Sequence, residues 1–428
     1  MLASVALAPL LLGLAPRPLP QETERLSMRE AKALVAEYVA TDWKSPEGIA
    51  RHDEILERLA LHAPLAPRDV KSWRKTITKA WEKGPELAKK GKNHLWEEEE
   101  RGLYIVDGNT KKPKGLFLGM HGGGVGSGEA TSSHGAFARA VDELDWVGIF
   151  PEVLEKTELG WTTSGTEEFV LELVERALRT WDIDRDKVFF GGHSMGGYGS
   201  WTLGAHHADT VAGLTPSAGA PTPYLSASGS IAGIVKGIIP NLHNVAMVIY
   251  QSTDDVQVPP DANQAAVRKL EQARKKWGGF DFEYWEVTDQ GHGLPPGGTI
   301  ALLRKIADRT RNARPERIVW QPDLSWKRQF YWLWWDAPQR HATVVADLKR
   351  DENAVDLSIQ RGTTEGLWVL LDDELLDLSR EVLVRVDGEV VYRGVPQRSL
   401  AALVSTARRG DERLTFEARV PAFETKGR

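Results

Sequence analysis

Cysteine is missing from all 428 residues. Disulfides, thiolate nucleophiles and Cys-ligated zinc are thereby excluded, although the absence selects no compartment. Excess positive charge is missing too: 54 Lys and Arg stand against 60 Asp and Glu, a formal charge of −6. Nucleic-acid binders usually carry a basic face, so no nucleic-acid partner is expected. The densest charge run, Glu97 to Glu100, is acidic and reads as solvated surface. Beyond the first residues no segment approaches the roughly 18 apolar residues of a membrane helix. The mature chain is therefore expected to carry no integral membrane segment. The sequence also lacks H-E-x-x-H, G-x-x-x-x-G-K-[ST] and G-x-G-x-x-G. Zinc hydrolysis, the P-loop and the dinucleotide fingerprint thus have no support, and no cofactor or metal is expected.

What is present suits a globular chain of two or three folding units, with 41% hydrophobic and 27% charged residues. Leu2 to Ala15 are nearly all apolar or small, and Pro16-Arg17-Pro18-Leu19-Pro20 then breaks the run. Too short for a membrane span, it suits the apolar part of a signal peptide over 1–20, although no Lys or Arg precedes it. Export to the periplasm or medium is the corresponding expectation.

Residues 21–95 read as helical. Ser27 and Glu30 form a capping-box pattern ahead of Ala31, Leu34, Val35, Tyr38 and Val39. Further apolar stripes run through Ile55, Leu56 and Leu59, then Val70, Trp73, Ile77 and Trp81. From 96 to 312, short apolar runs such as Leu116 to Gly119 and Val188 to Phe190 alternate with helix-patterned segments. That texture predicts an α/β unit with a mainly parallel sheet. From 313 to 428, alternating Val355, Leu357, Ile359 and Val382, Val384, Val386, with a hairpin signal at Asp387-Gly388, predict a small antiparallel β-sandwich. The aromatic cluster Tyr331, Trp332, Trp334 and Trp335 is read as core or inter-unit packing rather than a sugar platform. Pro221 to Asn244 carries Ile231, Ile234, Val235 and Ile238 at helical spacing, as a pocket wall, a lid or an ordinary packed helix.

The chemistry concentrates in four short stretches. Gly192-His193-Ser194-Met195-Gly196 follows the strand at 188–190. A nucleophile elbow turns sharply from strand to helix, and side chains two positions either side of the Ser would collide, so Gly is needed at both. A bare G-x-S-x-G match arises by chance on the order of 0.15 times in a chain this long; the strand before and the helix after it give it weight. His121-Gly122-Gly123-Gly124 follows another strand and suits an oxyanion loop. Its expected donors are the N–H groups of Met195 and Gly123. Asp254 and Asp255 follow the strand at 246–250, and either spacing suits the acid that orients an imidazole. His292, between Gly291 and Gly293, is the expected base. His206 and His207, near a helix end, are expected not to face one ligand together.

With these motifs in view, residues 115–300 resemble the α/β-hydrolase superfamily, in particular esterases and peptidases similar to polyhydroxybutyrate depolymerases, feruloyl esterases and the prolyl oligopeptidase catalytic domain. The stretch from Asp184 to Gly199 looks much like the approach to their nucleophile elbow. The family's acid commonly sits in G-T-x-D-x-x-V-P. Ser252 then stands at the Gly position, Val258-Pro259 closes the run, and Asp255 becomes the acid with Asp254 as alternate. The resemblance implies a serine hydrolase with Ser194, Asp255 and His292 as its triad. Its expected substrate is a small-molecule or polymer-derived carboxylic ester. A short-peptide peptidase and a non-catalytic polymer- or partner-binding protein are the other readings, and the oligomeric state stays open.

Overall fold

The computed structural model describes residues 26–43, 45–407 and 409–424. The expected signal segment over 1–20 lies outside the described residues. No helix among them is long and apolar enough to cross a membrane.

Three helices come first: α1 (Met28–Ala40), α2 (Pro46–Leu59) and α3 (Pro67–Trp81). Ser27 caps α1, its Oγ accepting from the Glu30 N–H at 3.2 Å, and Ser45 caps α2 through Gly48. Proline at the first position of α2 and α3 costs no intrahelical bond there. Their apolar stripes bury Val35, Ile55, Trp73 and Ile77 in one cluster.

The strands β1 (Gly91–Trp96), β2 (Arg101–Gly108), β3 (Leu116–Met120), β4 (Val147–Pro151), β5 (Val188–His193) and β6 (Gly213–Ser217) follow. The short hairpin β7 (Pro223–Leu225) and β8 (Ile231–Ile234) comes next, then β9 (Ala246–Ser252) and β10 (Phe282–Val287). The main sheet runs β1-β2-β4-β3-β5-β6-β9-β10. Its first two pairings are antiparallel and every later one is parallel. That strand order is the α/β-hydrolase fold. Helices α4 (Ala130–Glu143), α5 (Thr166–Thr180), α6 (Met195–His206), α7 (Asp261–Trp277) and α8 (Gly298–Arg304) flank the sheet.

Period-two alternation assigns each face of the sheet. Leu116, Leu118, Val188 and Phe190 enter one cluster with Phe169 of α5 and Trp201 of α6. Phe117 and Phe189 enter another with Phe137 of α4 and Leu302 of α8. Each central strand is therefore apolar on both sides, as a covered parallel sheet requires.

The remaining strands are β11 (Arg317–Trp320), β12 (Gln329–Phe330), β13 (Leu333–Trp335), β14 (Thr343–Lys349), β15 (Ala354–Gln360), β16 (Leu367–Leu371), β17 (Val382–Val386), β18 (Glu389–Gly394) and β19 (Ala418–Pro421). They form sheets β11-β14-β15-β17-β18 and β12-β13-β16-β19 around a shared core, antiparallel except for the β15–β17 pair. Tyr331, Trp332 and Trp335 are fully buried in that core. The helix α9 (Leu400–Ala407) packs against α2 and α3, so the N-terminal helical cluster includes Leu400, Leu403 and Val404.

One expectation fails. The segment 221–244 is not helical: Pro223 pairs with Ile234 and Tyr224 with Gly233 in a two-stranded hairpin, followed by a 3-10 turn over Pro240–Asn244. Prolines at 221 and 223 remove helical donors, and Gly229 takes a left-handed turn at φ 82°. The isoleucine spacing alone could not override them.

Candidate active site

Ser194 sits between the end of β5 and the start of α6 with φ 60° and ψ −124°. A non-glycine residue held at such a φ costs on the order of 1–3 kcal/mol, which surrounding packing must supply. The two flanking glycines are required by contact. A Cβ on Gly192 would lie 2.5 Å from the Gly196 carbonyl oxygen, and one on Gly196 would lie 2.1 Å from that of Met120. The Ser194 N–H donates to the Ser217 carbonyl at 2.9 Å, which ties the elbow to β6.

Asp255 and His292 occupy neighbouring loops at the carboxyl ends of β9 and β10. The His292 Nδ1–H donates to Asp255 Oδ2 at 2.7 Å. The other oxygen, Oδ1, accepts from the Gln257 and Val258 N–H groups, both at 2.9 Å. Three bonds thus lock a carboxylate that is only 3% exposed. Asp254 is placed differently, accepting from Ser252 Oγ at 2.5 Å and from the Gly291 N–H at 3.1 Å. The Ser252 hydroxyl holds the Asp254 carboxyl below its ordinary range. Ser252 Oγ also accepts from the Gln290 N–H at 3.3 Å. The serine that departs from the family pattern therefore staples the Asp254–Asp255 turn to the His292 loop.

His193 is a residue that sequence reading passed over. Its Nε2–H donates to the His292 carbonyl at 3.1 Å, and its Nδ1 accepts from Ser217 Oγ at 3.1 Å. The two imidazoles lie 4.9 Å apart between centroids. Burial, with the neighbouring His292, pushes His193 below its ordinary pKa, which keeps the ring neutral in this tautomer. Tyr250 adds a bond from its hydroxyl to the Leu294 carbonyl at 3.3 Å. Beneath the acid turn, buried Asn263 bonds Gln251 at 2.8 Å and accepts from Trp201 Nε1 at 3.2 Å. Only a pairing of distant polar residues reveals this net, and no local motif announces it.

The glycine loop lies beside the serine. A Cβ on Gly122 would stand 3.1 Å from Ser194 Cβ. Buried His121 donates from Nδ1 to the Gly122 carbonyl at 2.8 Å, while its Nε2 accepts from the Val153 N–H at 3.2 Å. Burial pushes His121 down, consistent with this neutral form. Because a trans peptide is planar, fixing the Gly122 carbonyl toward His121 turns the Gly123 N–H the opposite way. Gly123 takes φ 146°, and a Cβ there would lie 2.5 Å from the Ser127 carbonyl oxygen. Met195 opens α6, so its N–H has no intrahelical acceptor. Among the described residues, neither of these N–H groups donates a hydrogen bond to another backbone group. None joins Ser194 Oγ to the His292 ring either, a contact that tightens with substrate in many such sites. No group of metal-ligating side chains occurs among the described residues.

His206 and His207 do share a partner, against expectation. Glu167 Oε1 takes His206 Nδ1 at 2.6 Å and His207 Nε2 at 3.1 Å. The reason is local: α6 ends at His206, and His207 leaves the helix at φ −121° and ψ 33°, so the helical-neighbour rule no longer applies.

No protein-family model matches the chain, and no curated protein matches it. Solved structures do. A thermostable esterase is 19% identical, covering 49% of this chain and 60% of its own, at a TM-score of 0.37. The apo form of Thermogutta terrifontis esterase 2 is 12% identical, covering 52% and 93%, at 0.39. The acetyl xylan esterase from Aspergillus awamori is 15% identical, covering 46% and 89%, at 0.34. This chain thus spans less than two thirds of the first of these.

Proposed function

We propose that this chain is a serine hydrolase that cleaves carboxylic esters. The observation that carries the reading is the convergence of three features on one edge of the sheet: Ser194 in a strained elbow, the locked Asp255–His292 pair, and two N–H groups beside the serine. Ser194 Oγ attacks the ester carbonyl while His292 Nε2 takes its proton. Asp255 holds the Nδ1–H and stabilises the imidazolium that forms. The N–H groups of Met195 and Gly123 bind the oxyanion. His292 then protonates the departing alcohol, and a water deprotonated by His292 releases the acid from the acyl-enzyme.

Labelling with a fluorophosphonate probe tests the nucleophile. Wild type should label and Ser194→Ala should not; a folded wild type that fails to label sinks the reading. A panel of p-nitrophenyl esters against peptidyl anilides then separates an esterase from a peptidase. For location, the apolar run Leu2 to Ala15 supports export. N-terminal sequencing of protein recovered outside the cytoplasm, expected to begin near residue 21, tests that part.

A further inference from the structure

A cavity lies away from the serine, where α2, α5, α9 and the loop before β12 meet. It holds about 130 Å³, near the roughly 150 Å³ of an apolar cavity that takes up benzene. Leu56, Leu171, Val174 and Leu178 supply aliphatic walls, and Trp326 and Trp334 aromatic ones. His207, one residue past the end of α6, also lines it. The cavity is therefore at the opposite end of the helix that Ser194 opens, roughly 18 Å along its axis.

The charges around it do not balance. Lys327 lies 2.7 Å from Asp209 Oδ1, and Arg409 lies 3.3 Å from Oδ2 of the same carboxylate. Arg328 pairs with Asp53, Asp411 with Arg311 at 2.7 Å, and Glu175 with Arg179 at 3.0 Å. That leaves Arg185. Its guanidinium stacks on Trp81 at 4.6 Å and donates once, to the Arg409 carbonyl at 3.2 Å. No carboxylate among the described residues forms a salt bridge with it. Lys327 and Arg409 share the Asp209 carboxylate, and among the described lining residues Arg185, Lys327, Arg328 and Arg409 outnumber Glu175 and Asp411. A cation in low-dielectric surroundings gains most from an anion brought to it.

We propose that this cavity binds a small organic monoanion, a carboxylate on one aromatic or branched aliphatic body, with Arg185 as its counter-charge. The carboxylate matches the guanidinium fork, and the body fills the leucine and tryptophan walls. The assignment is independent of the chemistry at Ser194.

Benzoate is the probe, with benzyl alcohol as its uncharged counterpart, in calorimetric titration of the full chain. Benzoate should bind wild type and Ser194→Ala alike, and benzyl alcohol at least ten-fold more weakly. Arg185→Gln should weaken benzoate at least ten-fold. Leu171→Trp, which fills the cavity and keeps the charge, should abolish binding, with circular dichroism checking that each variant is folded. Absence of benzoate binding to folded wild type would overturn the proposal. So would equal affinity in wild type and a folded Leu171→Trp, since the anion would then sit elsewhere.

Discussion

Asp254 and Asp255 are adjacent in the chain and serve opposite sides of one loop. Asp255 reaches the His292 imidazole at 2.7 Å, whereas Asp254 holds the Gly291 N–H at 3.1 Å, one residue before that histidine. One orients the ring and the other sets the backbone that carries it. Asp255→Asn should lower kcat for p-nitrophenyl ester hydrolysis by about 10³–10⁴-fold with an unchanged circular dichroism spectrum, because the wrong imidazole tautomer is favoured. Asp254→Asn should cost less than about ten-fold. Equal losses would contradict this division.

His193 acts on the reaction only through His292, as a positioning residue. His193→Phe keeps the ring volume and removes the bond to the His292 carbonyl. We expect kcat to fall about 10–100-fold with KM nearly unchanged. Fluorophosphonate labelling should slow in parallel. A rise in KM at constant kcat would point to substrate contact instead.

Gly123 tests the oxyanion loop. Gly123→Ala places a methyl 2.5 Å from the Ser127 carbonyl oxygen, in a backbone region that alanine avoids. Displacing one oxyanion donor typically costs 10²–10³-fold in kcat, or roughly 3–4 kcal/mol. Ground-state binding of a non-hydrolysable amide analogue should change little; a large loss of that affinity would refute the assignment.

The Glu167–His206–His207 group makes stability depend on pH in a stated window. Burial pushes His207 down to about 4 from 6.5, against the pull of Glu167. A histidine depressed in the fold contributes its full stabilisation above about 6.5 and loses it as pH falls toward 4, because the unfolded chain binds the proton first. His206 shifts the other way: burial opposes its charge, but Glu167 prevails and raises it. Its contribution is present below 6.5 and fades as pH rises through the raised value. The urea midpoint should drop between pH 6.5 and 4, and His207→Gln should flatten that drop. A variant with the same acid slope as wild type would count against the assignment.

A buried ion cluster supports the same region. Arg311 is 4% exposed and pairs with Asp186 and Asp411, both at 2.7 Å. Removing one partner strands a buried charge, so Arg311→Met should destabilise by about 3–5 kcal/mol in denaturant titration. Restoring neutrality with the double change Arg311→Met and Asp411→Leu should recover part of the loss.

The parts legible in the sequence are those where one local rule dominates. The Gly192 and Gly196 flanks of Ser194, the cap at Ser27 and the apolar runs of β3 and β5 each announce themselves within a few residues. What the sequence left open needed distance in space. The choice between Asp254 and Asp255 depends on two backbone N–H groups at 257 and 258, and the roles of His193 and His121 depend on carbonyls that no motif encodes. At 221–244 the isoleucine periodicity misled, because two prolines and a left-handed glycine outweighed it. The sharing of Glu167 by His206 and His207 was hidden because the helix ends between them, at His206.

The packing of α9 against α2 and α3 bears on how the molecule is made. The first three helices leave the ribosome early, yet the helix that covers their apolar stripes is encoded more than 300 residues later. Until that stretch has been translated, Val35, Ile55 and Trp73 have no Leu403 to meet. The opening segment must therefore wait, and nascent chains halted before residue 400 should be held by chaperones or degraded.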